Sequence, residues 1–309
     1  MTGLPSLRQL RYLTAIADTR HFGRAADACN VSQSTLSAGI KELEGTLGAA
    51  LVDRTQRRVV LTALGADVAE RARALLRDAE EIVHLAAAAA EPLSGPLRLG
   101  AIPTVSPYLL PRVLPALRKA HPRLKLYLVE DMTERLVAAL EAGRIDAMLL
   151  ALPCDCGTAE TMVVHRDAFQ LALPRRHPLA AAARVPVEAV RDAPLLLLAD
   201  GHCLREHALA ACDLPPARAG EGFSATSLTT LVQMVDNGLG LTLLPQIAID
   251  AGILGGTDVV VRPIAGERAF RDLGLAWRAG TARRPEFVQL GEELGALIAA
   301  LPAKRRGAG

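Results

Sequence analysis

The chain has 309 residues, half of them apolar, which is enough to bury a large core divided over two or three domains. Aromatics make up only 3%, so leucine, valine, isoleucine and alanine must fill that core. A net charge of +2 and a pI near 8.4 are too mild to diagnose a nucleic-acid binder without knowing where the charge sits. No basic region leads into an apolar run at the start, and no apolar stretch reaches the roughly 20 residues that span a bilayer. A cytoplasmic protein without membrane contact is expected, in which its five cysteines are reduced and a disulfide is a redox signal rather than a staple.

Residues 1–62 read as a small helical domain closed by a hairpin. Leu7, Leu10, Leu13, Ile16 and Ala17 recur at helical spacing, and a short second helix from about His21 ends at Asn30. Ser32 can cap a third helix from Gln33 to about Leu47, with Leu36, Ile40, Leu43 and Leu47 on its buried side. Two helices joined by a tight turn form either a helix-turn-helix or a plain helical hairpin. In the first case the start of the later helix, with Ser32, Gln33, Ser34 and Ser37, enters the major groove of DNA. Two short strands, 51–54 and 59–61, favour that case, because their turn presents Arg54, Arg57 and Arg58 as a wing tip for phosphates. Cys29 reads as packing.

Residues 63–92 read as one long linker helix. Its apolar positions Leu64, Val68, Ala72, Leu75, Ala79, Ile82 and Ala86 alternate steps of three and four, the pattern of a two-helix seam. Such a helix is unstable alone, so its expected partner is the same helix of a second subunit, and a dimer presents two recognition helices to two half-sites.

Residues 93–309 then alternate strand and helix, which argues for a parallel sheet wrapped by helices. Strands are expected at 97–102, 124–130 and 145–150, with helices at 108–120 and 133–142 between them. A second set of strands follows near 169–173, 195–198, 241–244 and 259–264, with helices at 203–212 and 227–237. A strand at 273–277 and a helix at 286–301 close the chain. Two α/β lobes with the chain crossing between them make a hinged clamp, with ligands beyond the carboxyl ends of strands, which marks Thr104. Cys154-Asp155-Cys156 is at most half a metal site, and no second Cys or His pair nearby has zinc-like spacing. We expect no metal and no cofactor, and read the motif as a polar loop with a competing disulfide as the lesser alternative.

Cys203 and Cys212 flank a run of good helix formers. If that run is helical, nine steps of about 100° put the two side chains on opposite faces, roughly 13 Å apart along the axis. A disulfide tolerates a Cα separation of at most about 7 Å. A bond between them then requires unwinding, which would make the segment a two-state element. The alternative is two buried core thiols. His202, Arg205 and His207 lie within four positions of Cys203 and can favour its thiolate, whereas Cys212 has no such neighbours.

Ala25-Ala26, Ser32-Gln33-Ser34-Thr35-Leu36-Ser37, Leu43-Glu44, Leu47-Gly48, Arg54 and Leu61-Thr62-Ala63-Leu64-Gly65 resemble the DNA-binding domain of LysR-type transcriptional regulators. Ser34 stands where that family often has Pro. Gly201-His202-Cys203-Leu204-Arg205, Cys212, Ile102-Pro103-Thr104-Val105 and Pro107 to Pro111 are similar to the family's peroxide-sensing members, and the likeness covers nearly the whole chain. The resemblance implies a winged helix-turn-helix, a linker helix and a two-lobed periplasmic-binding-protein-like regulatory domain. It makes Cys203 the peroxidatic thiol and Cys212 the resolving thiol, with Thr104, Thr133, His202 and Arg271 lining a peroxide pocket. Residue by residue there are duller alternatives: Thr104 as a helix cap, His202 as a turn residue, Arg271 as a surface ion-pair partner. The implied partners are operator DNA, further copies of the chain up to a dimer of dimers, hydrogen peroxide, reductants of the thioredoxin or glutaredoxin type, and RNA polymerase. The implied role is activation of oxidative-stress genes, not enzymatic turnover. Rival readings are a regulator of this fold with a small effector in its cleft, a thiol peroxidase, and a solute-binding protein.

Overall fold

The computed structural model describes residues 3–53, 59–90, 92–191, 193–213, 224–266 and 268–302. They form two compact units, residues 1–89 and 90–309.

The first unit is a three-helix core with a hairpin and a long helix. α1 (Leu7–Thr19) opens with a capping box between Ser6 and Gln9. α2 (Phe22–Ala28) is capped by His21, whose Nδ1 accepts from the Gly23 and Arg24 amides. Asn30 then turns the chain at φ 55°, as its tolerance of the left-handed region allows. α3 (Gln33–Leu47) starts at Ser32, whose hydroxyl accepts from the Thr35 amide, and stops at Gly48 with φ 67°. Leu10, Leu13, Ile16, Leu36, Ile40 and Leu43 close one core. The hairpin pairs β1 (Val52–Asp53) with β2 (Val60–Leu61), Val52 opposite Leu61. Its tip, with Arg54, Arg57 and Arg58, lies outside the described residues.

α4 (Ala63–Ala90) runs unbroken for 28 residues, but its apolar positions divide differently from the expected single stripe. Ala69 and Ala72 are buried, and Val68 and Leu76 pack with them against the helical core. Leu64, Leu75, Ile82 and Val83 stay exposed. The three-and-four spacing merged two faces, one serving the unit's own core and one left uncovered. Among the described residues no helix is long and apolar enough to cross a membrane.

In chain order the second unit holds β3 (Gly95–Ala101), α5 (Ser106–Ala120), β4 (Leu124–Glu130), α6 (Thr133–Glu141), β5 (Ala147–Leu152) and β6 (Ala159–Pro174). Next come β7 (Val185–Pro186), α7 (Val187–Arg191), β8 (Leu197–Leu198), α8 (Cys203–Ala211), β9 (Ser224–Ala225) and α9 (Leu228–Asp236). β10 (Thr242–Pro245), α10 (Gln246–Asp250), β11 (Val259–Ala265), β12 (Phe270–Arg278) and α11 (Arg284–Ala300) complete it. The sheet order is β4-β3-β5-β12-β6-β11-β7, with β10 also on β6. It is mixed rather than parallel throughout: β3 is parallel to β4 and β5, whereas β12 is antiparallel to both β5 and β6. β12 lies between β5 and β6 and runs against both, and β11, on the far side of β6, is antiparallel to β6 as well.

Two lobes result, each with its own core. Leu97, Leu99, Met148, Leu150, Trp277 and Leu290 belong to one, and Phe169, Leu171, Leu198, Val232 and Leu244 to the other. β6 crosses between them, pairing through 159–168 with β12 and through 169–174 with β10 and β11. α8 touches both: Leu204, Ala208, Leu209 and Cys212 join the second core, and Cys203 packs against the first.

Candidate functional site

Gly201, at φ 91°, makes the turn that delivers His202 and Cys203 to the start of α8. His202 occupies the N-cap position, yet its side chain makes no capping bond and is 5% exposed. Its ring bonds to the backbone of Thr226, while Nε2 is buried without a hydrogen-bond partner. Cys203 is half-buried and free. A narrow crevice brings these two together with Ile102, Pro103, Thr104, Met132 and Thr133. Thr133 begins α6, and its hydroxyl is likewise buried without a partner.

Behind the crevice lies a buried ion pair. Arg271 of β12 and Asp167 of β6, with fully buried side chains, meet at 3.0 Å. The Arg271 guanidinium also donates from Nη1 to Thr104 Oγ1 at 2.9 Å and from Nη2 to the Thr104 carbonyl at 3.1 Å. Asp167 Oδ1 accepts from the Ile247 amide at 3.1 Å, at the start of α10. Arg271 is therefore no surface ion-pair partner, and it does not line the crevice: it holds Thr104 there. Thr104 does not cap α5, where Val105 stands at the N-cap. With one lone pair of its oxygen given to Arg271, the Thr104 hydroxyl keeps its proton for a ligand.

Cys212 lies at the other end of α8, 0% exposed in the second core. Burial pushes its thiol up to about 11, against a smaller opposing pull from Arg191. The Arg191 side chain donates from Nε to the Cys212 carbonyl at 2.8 Å and from Nη2 to Asp213 at 2.8 Å, clamping this end of the helix. Nine helical positions put the two cysteines roughly 13 Å apart along the axis. The sulfurs cannot meet while α8 is intact.

Cys154 and Cys156 are joined by a disulfide, with Cα atoms 5.4 Å apart. The motif lies in the loop between β5 and β6 with Asp155 exposed, but Cys156 is 7% exposed and packs in the first core. A wider cleft between the lobes, of ≈ 930 Å³, is lined by Thr133, Glu134, Cys154, Cys203 and Arg205 among others. Among the described residues no group of His, Cys, Asp and Glu is arranged to hold a metal ion.

The imidazoles of His202 and His207 are both held below the ordinary histidine range, first by burial, and in His207 also by the Arg271 charge. The folded protein therefore binds fewer protons than the unfolded chain as pH falls below about 6.5, and loses stability there. Urea unfolding at pH 7.5 and pH 5.5 is expected to show this loss, and His202→Gln to reduce it. An unchanged difference in the variant would mean that His202 is not a source.

In the first unit Ser32, Gln33 and Ser34 are exposed and Ser37 is half-buried. The Ser32 hydroxyl is shared with Ser34 and Thr35 at 2.8 Å each, which makes Ser32 a helix cap before it is a base reader. A groove beside Gln33 is lined by Arg20, Arg24 and His21, basic residues without a DNA-binding role in the sequence analysis. Arg20 and His21 form the turn between α1 and α2 and Arg24 lies in the first turn of α2, and only the packing of α2 on α3 brings them to Gln33.

Residues 7–66 match the family described as "Bacterial regulatory helix-turn-helix protein, lysR family", and residues 90–298 match "LysR substrate binding domain". A "Probable hydrogen peroxide-inducible genes activator" of Mycobacterium avium is 42% identical over 295 residues, covering 95% of this chain and 94% of that one. Full-length OxyR from Pseudomonas aeruginosa, solved with a Cys-to-Asp substitution, superposes with a TM-score of 0.78 at 35% identity. That match covers 98% of this chain and 100% of the other. A cysteine mutant of Corynebacterium glutamicum OxyR with hydrogen peroxide bound gives 0.67 at 34% identity, over 97% and 94% of the two chains.

Proposed function

Because the chain belongs to the LysR family of bacterial transcriptional regulators, we propose that it senses hydrogen peroxide through Cys203 and Cys212 and relays the signal to operator DNA. The observation that carries this reading is the crevice. Cys203 shares it with Thr104, and with two buried polar atoms, His202 Nε2 and Thr133 Oγ1, that have no partner among the described residues. Buried polar groups are nearly always paired, so these two are poised for a small polar ligand with both donors and acceptors, which the closed crevice must widen to admit. Hydrogen peroxide is such a ligand.

The thiolate of Cys203 attacks one peroxide oxygen and the O–O bond breaks. The other oxygen leaves as hydroxide, takes a proton and becomes water, and Cys203 becomes a sulfenic acid. Thr104 and His202 orient the peroxide by hydrogen bonds, and Arg271 acts on the reaction by fixing Thr104. Cys212 then displaces water from the sulfenic sulfur to form the disulfide. That step must wait for α8 to open, because Cys212 is a buried, protonated thiol on the far lobe. Opening exposes Leu204 and Leu209, at about 1.5–3 kcal/mol each, and releases the Arg191 clamp. Disulfide formation thereby traps an opened form that the reduced protein visits only transiently.

Refolding of α8 repositions the two lobes against each other and, in a dimer of dimers, the recognition helices on operator half-sites. The exposed Leu64, Leu75, Ile82 and Val83 of α4 supply the apolar surface for pairing. The chain acts in the cytoplasm as a regulator of oxidative-stress genes rather than as an enzyme. It works with RNA polymerase, and dithiol reductants of the thioredoxin or glutaredoxin type reset it. In Cys212→Ser, one equivalent of peroxide is expected to leave a dimedone-reactive sulfenic acid on Cys203. An unmodified Cys203 would rule the reading out. The second reading, a small effector in the cleft, is favoured by a volume within the usual ligand-pocket range, and predicts ligand-dependent operator binding in fully reduced protein.

A further inference from the structure

The reaction above leaves one redox couple without a role. Cys154 and Cys156 form a disulfide while Cys203 and Cys212 are free thiols and α8 is helical. Cys154 and Cys203 line the same interlobe cleft, and both pack against the first lobe's core. The two segments are also tied directly, because His207 Nε2 donates to the Pro153 carbonyl at 3.2 Å. His207 is four residues after Cys203, on the same face of α8, and Pro153 adjoins Cys154. Cys212 is on the opposite face, in the other lobe's core. With α8 intact, the sulfur that shares Cys203's own cleft is therefore that of Cys154, to which Cys156 is joined from the core side.

We propose that Cys154 and Cys156 are a second resolving couple for Cys203, which takes up its oxidation without unwinding α8 and so competes with Cys212. This rests on the reading of Cys203 as the peroxide-reactive thiol. Peroxide first converts Cys203 to the sulfenic acid with loss of water. Cys154, half-buried at the cleft, attacks the sulfenic sulfur, forming a Cys203–Cys154 disulfide and a second water. Cys156, buried behind it, then attacks the Cys154 sulfur, and Cys203 leaves as thiolate. The sum is two thiols and one peroxide giving one disulfide and two waters, with Cys203 restored. Separation of Cα atoms by 5.4 Å lies within the range disulfides adopt, so the couple closes without a backbone rearrangement like that of α8. The order of attack follows from exposure. Because oxidation held in this couple leaves α8 folded, it drains small doses of peroxide before the regulatory disulfide forms.

The test uses full-length protein, reduced with dithiothreitol, desalted, treated with one equivalent of hydrogen peroxide, alkylated and peptide-mapped, with thermal melting to establish that each variant is folded. In the double variant Cys156→Ser, Cys212→Ser, a Cys203–Cys154 disulfide is expected to accumulate, since neither thiol that could resolve it further is present. In the wild type, peroxide is expected to generate the Cys154–Cys156 disulfide, and Cys203→Ser to lose that product. A dimedone-trapped sulfenic acid on Cys203 of the double variant without any Cys203–Cys154 disulfide overturns the second couple and leaves peroxide sensing standing. Formation of Cys154–Cys156 that persists in Cys203→Ser also overturns it, because the couple then reacts with peroxide unaided. A Cys203 that stays a free thiol in every variant overturns both readings.

Discussion

Arg271→Ala is expected to lower the stability of the second unit by about 3–5 kcal/mol, the cost of leaving a buried carboxylate without its cation. Both side chains of the Arg271–Asp167 pair are fully buried, so the lost guanidinium leaves the Asp167 charge in the interior without its counter-ion. The damage should spread to both lobes. Asp167 sits on the crossing strand β6 and accepts from the start of α10, and Arg271 ties β12 to the loop that carries Thr104. A double variant, Arg271→Met with Asp167→Leu, removes both charges and is expected to recover much of the loss, because neither is left uncompensated. Urea unfolding of the two variants measures this. A single variant within about 1 kcal/mol of wild type would show that the pair is not the structural link described.

Thr104→Val is expected to slow oxidation of Cys203 by about 100-fold, the scale of removing one positioned donor from a reacting oxygen. Valine keeps the shape of the side chain and removes the hydroxyl that faces the crevice. It also deprives Arg271 Nη1 of its acceptor, so some loss of stability accompanies the loss of rate. Thr104→Ser separates the two effects, because it restores the hydroxyl to both partners and should return most of the rate. Rapid-quench trapping of the sulfenic acid gives the rate constants. Equal rates for Thr104→Val and wild type would place the reacting peroxide away from Thr104.

Much of the fold was legible because short elements carry strong local signals. Ser32 before a helical run, Gly48 after it, and the alternating strands and helices from residue 95 onward are all local features. What escaped depended on distant partners. β6 runs over Ala159–Pro174, but only its last third reads as a strand. His165, Arg166 and Asp167 break the apolar pattern, and Asp167 is acceptable inside only because Arg271 lies 104 positions later. The sequence position of β12 is legible, yet its place between β5 and β6, antiparallel to both, is a matter of sheet order that no periodicity reports.

The site divides the same way. Cys203, His202 and Cys212 are adjacent enough in sequence to be read as a unit, and their opposite faces on α8 follow from helix geometry. Thr104 and Thr133 belong to the same crevice only through the packing of β3 and α6 beside α8. Arg271 was expected at the pocket wall and lies behind it, a distinction between touching a ligand and holding the residue that does. The pairing of Cys154 with Cys156 shows the opposite limit. The motif is conspicuous in the sequence, but its proximity to Cys203 depends on a turn that brings Pro153 against His207.

The most direct test is peptide mapping of wild type, Cys203→Ser and Cys212→Ser, each with its Cys154–Cys156 couple already oxidised, after one further equivalent of hydrogen peroxide, paired with operator binding of the same samples. A Cys203–Cys212 disulfide forming within seconds, with a change in DNA binding that Cys203→Ser abolishes, is the predicted result. Two thiols that stay free while DNA binding still responds to a metabolite would contradict the account and leave a regulator governed by a ligand in its cleft.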